Sequence, residues 1–235
     1  MTSILVVRAE PGASATVERA RMLGLDPLAA PIFEVEAVDW TPPDLAGFDA
    51  IMLTSGHAAR LAGEGRRPFL DLPCFAVGES TAAGAREAGF ANVMTGDGGA
   101  VALAALMAKE GVARALHLCG REHQPLDAPF DIVRRIVYAV DEIAPLPNAA
   151  KKALNDGAIA LLHSPRSARH FGALVDDAGL PRAGIRVAAI SDAALRAAGE
   201  GWRDEVAAAK PRDEALLELA AKLCKTAGGD TGRAG

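Results

Sequence analysis

Two pieces of this chain end in the same polar corner. In "AIMLTSGHAARLAG" (Ala50 to Gly63) and "AIALLHSPRSARHFG" (Ala158 to Gly172) an apolar run stops at a serine, a glycine or proline follows, and an alanine-rich amphipathic stretch begins. A strand that turns into a helix this way leaves the first backbone N–H groups of the helix without intrahelical partners, at the positive end of its dipole, where anions bind. In open parallel sheets such corners stand outside the carboxyl ends of the strands, the usual place for a ligand. The residues in that position are Arg8; Thr54, Ser55 and Gly56; Gly78, Ser80 and Thr81; Gly120 and Arg121; Ser164 and Ser167; and Ser191. Hydroxyls, glycines and guanidinium groups of this kind grip carboxylates and phosphates. Any one serine or threonine here also reads as a helix N-cap. The recurrence of the corners, with Arg8 and Arg121 among them, favours a cleft lined with anion-binding corners.

Tyr138 is the only tyrosine in the chain. It lies in "DIVRRIVYAVDEI" (Asp131 to Ile143), an extended, β-branched stretch, where a phenol facing the cleft would donate a proton or hold a leaving oxygen. Packing on a half-exposed ribbon is the plainer alternative. Other constellations are quiet. There is no G-x-S-x-G elbow and no Walker loop. "GDGGA" (Gly96 to Ala100) lacks the dinucleotide spacing and reads as a loop and helix start. "CGREH" (Cys119 to His123) offers a thiol and an imidazole without a second ligand pair, so no metal site is expected. His57, His163 and His170 read as corner or surface residues, Asp176 and Asp177 as solvated, and Cys74 and Cys224 as core.

The elements that would position these groups alternate along the chain. Short apolar runs ("SILVV", "AIMLT", "CFAV", "ANVMT", "ALHLC", "AIALLH", "IRVAAI") are separated by amphipathic stretches such as "SATVERARMLG", "STAAGAREAGF", "AVALAALMAKEG", "SARHFGALVDDAG" and "RDEALLELAAKLCK". Continuously apolar strands that alternate with helices predict parallel sheets covered on both faces. Gly24, Gly89, Gly111 and Gly179 sit where helix C-caps are expected. Two segments break the rhythm, "PIFEVEAVDWTPP" (Pro31 to Pro43) and the stretch that carries Tyr138; they predict a two-stranded connector crossed twice by the chain. The repeat continues in "FAVGESTAAGAREAGF" and "VAAISDAALRAAGEGW", so a strand–corner–helix module occurs twice in succession in each of two similar lobes.

The bulk numbers agree. The chain has 235 residues, enough for two small cores. Apolar residues make up 50% but aromatics only 4%, so small aliphatic side chains must fill the helix–sheet contacts. A net charge of −5 offers no basic face, which argues against nucleic acid as a partner. Three widely spaced cysteines make no disulfide framework, "MTSILVVRAE" lacks the basic start of a signal peptide, and no apolar run reaches the length of a membrane span. A cytoplasmic location, no membrane association and a monomeric state are expected.

Together the parts resemble uroporphyrinogen-III synthase. The resemblance is carried by "VVRAEPGA" (Val6 to Ala13), "LTSGHAA" (Leu53 to Ala59), "AVGESTAAGAREAGF" (Ala76 to Phe90), "LHLCGRE" (Leu116 to Glu122), "IVYAV" (Ile136 to Val140) and "LLHSPRSARHF" (Leu161 to Phe171), in order over nearly the whole chain. It implies an α/β protein of two similar Rossmann-like parallel-sheet lobes joined by a two-stranded β-ladder. Residues 1–33 and 144–225 would form one discontinuous lobe and 41–131 the other. Residues 34–40 and 132–143 would be the linker strands, and 226–235 a disordered tail. It further implies the substrate hydroxymethylbilane, a linear tetrapyrrole polycarboxylate, closed with inversion of its last ring through a spiro intermediate and with loss of water. No cofactor is implied. Tyr138 matches the linker tyrosine of the family and is the catalytic candidate; the corners would bind substrate carboxylates. A transient contact with hydroxymethylbilane synthase fits this picture. The second-half corner "AISDAAL" (Ala189 to Leu195) departs from the Gly-x-Thr-Thr type common in the family and leaves only Ser191 and Asp192 there. The rival readings are a non-catalytic two-lobed sensor of a small anionic ligand and a nucleotide-dependent enzyme built on "GDGGA".

Overall fold

The computed structural model describes residues 3–228. The chain divides into two compact units, one formed by Met1–Glu34 with Glu142–Gly235, the other by Val35–Asp141. The first unit opens with β1 (Ser3–Val6), α1 (Gly12–Met22) and β2 (Asp26–Ala29); the chain leaves it within β3 (Phe33–Ala37). The second holds β4 (Ala50–Leu53), α2 (Gly56–Leu61), β5 (Pro73–Val77), α3 (Gly78–Glu87), β6 (Asn92–Gly96), α4 (Ala100–Lys109) and β7 (Arg114–Gly120). The chain returns within β8 (Asp131–Glu142). The first unit then closes with α5 (Asn148–Asn155), β9 (Ile159–Leu162), α6 (Pro165–Asp177), β10 (Arg186–Ala189), α7 (Asp192–Ala198), β11 (Asp204–Ala207) and α8 (Asp213–Gly228).

The sheet of the first unit runs β2-β1-β9-β10-β11, all parallel. The sheet of the second runs β8-β7-β4-β5-β6, also parallel, with β3 added beside β8. The two sheets have the same spatial layout but are circularly permuted. The pair β1–β2 precedes its three-stranded module β9–β10–β11 in sequence, whereas β7–β8 follows β4–β5–β6. The repeated segments noted in the sequence are these modules. In each sheet the strand order reverses beside the module's first strand, between β1 and β9 and between β7 and β4. Such a switch point opens a crevice at the carboxyl ends of the strands.

The strands are buried because both faces of each sheet are covered. β4, β9 and β10 are buried at every position. In the first unit α1 and α8 place Ala13, Val17, Ala20, Leu216 and Leu217 against Ile4, Val6, Ile159 and Leu161. In the second, α2 and α3 cover one face through Ala58, Ala59 and Ala85, while Leu103 and Met107 of α4 cover the other with Met52 and Phe75. Small residues let helices sit close: a Cβ on Gly172 of α6 would stand 2.9 Å from the Ala198 carbonyl of α7.

The two connector stretches do pair: β3 lies beside β8, and the Val38 N–H donates to the Val137 carbonyl at 3.0 Å. β8 does more than connect. From Asp131 to Tyr138 it is in register with β7, as the outer parallel strand of the five. The expected tail start at residue 226 falls inside α8, which continues to Gly228. Residues 229–235, also expected in the tail, lie outside the described residues. β2 and β11 carry no apolar run and are recognisable as strands only from their pairing.

Candidate active site

In the second unit the candidate residues lie at the carboxyl ends of β4, β5 and β7, with Tyr138 on β8 opposite the end of β7. Gly120 ends β7 and is the register partner of Tyr138 on β8, with a register shift between Cys119 and Gly120. The missing side chain makes room for the phenol, since a Cβ on Gly120 would meet the Tyr138 ring at 2.7 Å. The other side of that ring meets His57 at the start of α2, with ring centroids 5.5 Å apart. The Arg121 N–H donates to the Tyr138 carbonyl at 2.9 Å and fixes the backbone. The Arg121 guanidinium, exposed, pairs with Asp141 at 3.0 Å. Tyr138 is half-buried, and its hydroxyl makes no hydrogen bond among the described residues, which leaves it free to donate.

The corner hydroxyls divide into those already used and those still open. Ser55 is the N-cap of α2; its Oγ accepts from the His57 N–H at 3.2 Å, with Gly56 opening the helix behind it. Thr54 turns its hydroxyl inward, 3.1 Å from His117 Nε2. The α3 corner is different. Val77 provides no side-chain cap, and Gly78 takes φ +72°, a left-handed conformation that glycine adopts without strain. The first N–H groups of α3 therefore lack a side-chain acceptor. Ser80 beside them is exposed, whereas Thr81 is buried and only 7% exposed.

In the first unit the switch point holds a charged network. Asp213, at the start of α8, accepts from Thr16 Oγ1 at 3.0 Å and Arg19 Nε at 2.8 Å, and lies 2.9 Å from His163 Nε2. Arg8 stands farther off, its NH1 3.8 Å from Asp213 Oδ1. Burial works to raise the Asp213 pKa. The His163 hydrogen bond and charge, Arg19 and Thr16 outweigh it and hold the carboxyl at about 2. Burial lowers the Arg8 pKa; Asp213 opposes that shift and Arg19 adds to it. Ser164 and Ser167 form a reciprocal capping box on α6, and Ser191 caps α7 by accepting from the Ala194 N–H. Asp192 is the acid of that first turn, not the cap. The candidate hydroxyls of this unit are thus engaged by their own helices.

Sequence reasoning passed over four residues. His163 is at a corner, directly after β9, but is not at the surface, with its side chain 5% exposed against Asp213. His170 is similarly enclosed, within 3.1 Å of the Ile143 carbonyl. His117 sits in the middle of β7, 3% exposed; burial, then Arg134 and His123, push its pKa down to about 4. A histidine inside the apolar run "ALHLC" was the available signal. Asp213 had none, because its partners lie up to 197 residues away. The "GDGGA" segment is a loop into α4, with Gly98 and Gly99 both at positive φ. Among the described residues no group of three or more His, Cys, Asp or Glu is placed to hold a metal ion, and no helix is long and apolar enough to cross a membrane.

Two permuted parallel sheets, each with helix-initiating corners at its switch point, define a two-unit α/β protein. The family comparison agrees: the model for uroporphyrinogen-III synthase HemD matches residues 14–218, and the chain belongs to that family, the cyclising lyases of tetrapyrrole biosynthesis. The fold is similar to that of uroporphyrinogen-III synthetase from Helicobacter pylori, with a TM-score of 0.66 at 20% identity over 95% of this chain and 100% of that one. It is also similar to a mutant uroporphyrinogen III synthase from Thermus thermophilus, with a TM-score of 0.50 at 17% identity over 95% of this chain and 100% of that one. Comparison with curated proteins finds no match.

Proposed function

We propose that this chain closes hydroxymethylbilane to uroporphyrinogen III, inverting the terminal pyrrole ring through a spiro intermediate, with Tyr138 as the catalytic residue. Loss of the substrate's hydroxyl gives an azafulvene electrophile that needs little further activation. The protein's task is then to hold the chain so that the substituted carbon of the last ring attacks before water or uninverted closure intervenes. The Tyr138 hydroxyl, without a hydrogen-bond partner among the described residues and held beside Gly120 and His57, donates to the departing oxygen.

The substrate carboxylates are gripped first at the α3 corner, by the N–H groups after Gly78 and by Ser80 and Thr81. Gly56 with Ser55 and Thr54, and Gly120 with Arg121, are the further candidates of this unit, and Arg8, Ser164, Ser167 and Ser191 those of the other unit taken by itself; Thr54 and the capped serines would contribute backbone rather than side chain. No metal or organic cofactor takes part. The same reading has the protein working in the cytoplasm as a monomer, in transient contact with hydroxymethylbilane synthase, whose product is reactive in water.

The observation that carries the reading is the bed that Gly120 makes for Tyr138 at the end of β7. The test is an isomer assay. Hydroxymethylbilane is generated in place from porphobilinogen and its deaminase, this protein is added, and uroporphyrins I and III are separated after oxidation. A shift to isomer III is expected. Isomer I alone, from folded protein, would transfer the function to the sensor of an anionic ligand.

A further inference from the structure

At the amino end of β7 the second unit has an open pocket of about 390 Å³, within the range of roughly 300–1,000 Å³ usual for small-molecule sites. The alternation of the strands builds one wall of it. Arg114 and Leu116 of β7 share a face with Val133 and Arg135 of β8, because Leu116 is in register with Val133 and Leu118 with Arg135. Leu116 and Leu118 go into the core of that face with Phe48, while Arg114, Val133 and Arg135 line the pocket. From Arg114 to Gly120 the strand runs about 20 Å, so the amino end of β7 is well away from the bed of Tyr138.

The charged groups of the pocket are held in place without being neutralised. Arg114 stands over the Phe48 ring, its Cζ 5.2 Å from the centroid, and close to Gly47, where a Cβ would come within 3.3 Å of NH1. Its register partner Asp131 makes no ion pair with it among the described residues. Asp49 turns its carboxylate to the backbone N–H groups of Ala113 and Arg114, at 2.9 and 2.8 Å. Arg135 donates from Nε to the Thr41 carbonyl at 3.4 Å and from NH1 to the Arg134 carbonyl at 2.9 Å, contacts that fix the head without cancelling its charge. Asp44 accepts from the Ala46 N–H at 3.2 Å through Oδ1, and among the described residues no ion pair joins it to either guanidinium. Arg114 and Asp44 are exposed, so a ligand reaches both. One pocket thus presents positive and negative groups that do not quench each other, beside an apolar surface of Ala46, Phe48 and Val133. A simple anion would meet Asp44 as a like charge, and a simple cation would meet the arginines. A molecule that carries both charges and an apolar body matches the whole lining.

We propose that this pocket binds a small zwitterion of the amino-acid type. Its carboxylate lies on Arg114 and Arg135, its ammonium on Asp44, and its apolar side chain against Ala46, Phe48 and Val133. The guanidinium forks supply paired donors for the carboxylate. The site stands whether or not the cyclisation reading does, because its tests are binding measurements.

The test is a titration of the whole protein with three probes, followed by saturation-transfer NMR on the probe methyl groups. The probes are L-leucine, N-acetyl-L-leucine, which lacks the ammonium, and L-leucinamide, which lacks the carboxylate. Saturable binding of L-leucine is expected, with each of the other two about tenfold weaker, the value of one charge-assisted hydrogen bond. Arg114→Gln should weaken L-leucine about tenfold. Asp44→Asn should weaken it by a similar factor and leave N-acetyl-L-leucine bound at least as well as in the wild type. Ala46→Trp keeps the charges, fills the space and should abolish binding of all three. Circular dichroism checks that each variant is folded. No saturable binding of L-leucine, equal affinity for all three probes, or L-leucine binding unchanged in folded Arg114→Gln and Asp44→Asn would overturn the proposal, the last by placing the ligand elsewhere on the protein.

Discussion

Gly120 and Tyr138 lie opposite each other across β7 and β8, so closely that a methyl group on Gly120 would stand 2.7 Å from the phenol ring and 3.0 Å from its oxygen. The glycine is thus part of the tyrosine's position. Gly120→Ala should leave the sheet intact and push the ring from its place beside His57. Displacement of a reacting group by about an ångström lowers turnover by up to about a hundredfold, so kcat should fall about 10–100-fold with the circular dichroism spectrum retained. Wild-type turnover in this variant would show that the phenol's position does not matter.

Tyr138→Phe asks about the hydroxyl alone. The ring and its contact with His57 remain, and no hydrogen bond among the described residues is lost, so the melting temperature should be nearly unchanged. Turnover should fall about 10–100-fold, near the low end of general-acid effects, because the substrate supplies most of its own reactivity. Turnover equal to wild type removes Tyr138 from the mechanism.

Thr81→Val separates binding from packing at the α3 corner. Valine preserves the shape of a side chain that is 7% exposed, and Val77, not Thr81, occupies the N-cap position. KM should rise several-fold while kcat holds. A lower melting temperature with unchanged KM would assign the hydroxyl to the fold instead.

Most of the fold was legible because its signals are local. Runs such as "AIMLT" and "AIALLH" are apolar throughout, as strands buried on two faces must be. Gly24, Gly89, Gly111 and Gly179 take the positive φ expected of C-caps. β2 and β11 escaped because "DPLA" and "DEVA" at sheet edges need no continuous apolar run. The corners were legible as positions but not as partners. Spacing placed Ser164 and Ser167 after a strand; only three-dimensional geometry shows that they bond each other. The Asp213 network is non-local altogether, drawing on the corners after β1 and β9 and on α1 and α8.

Asp213→Asn tests that network. The wild-type carboxyl titrates at about 2 when folded, against an ordinary value of 3.8. Its contribution is therefore present above pH 3.8 and lost as pH falls through 2. The shift corresponds to about 2 kcal/mol, so the variant should be less stable by about that much at neutral pH in urea unfolding. The gap should narrow below about pH 4. A gap of the same size at all pH values would mean that shape, not charge, holds α8 to α1.

His117 gives the opposite end of the pH range a signature. Buried beside Arg134, it titrates at about 4 in the fold, against an ordinary value of 6.5. Between those values the unfolded chain takes up a proton that the folded one refuses. Stability is therefore full above pH 6.5 and declines as pH falls toward 4, by about 3 kcal/mol across the window. Urea unfolding should show that decline, and His117→Gln should flatten it. A decline that persists unchanged in His117→Gln would assign the titration to another group and leave His117 silent over this range.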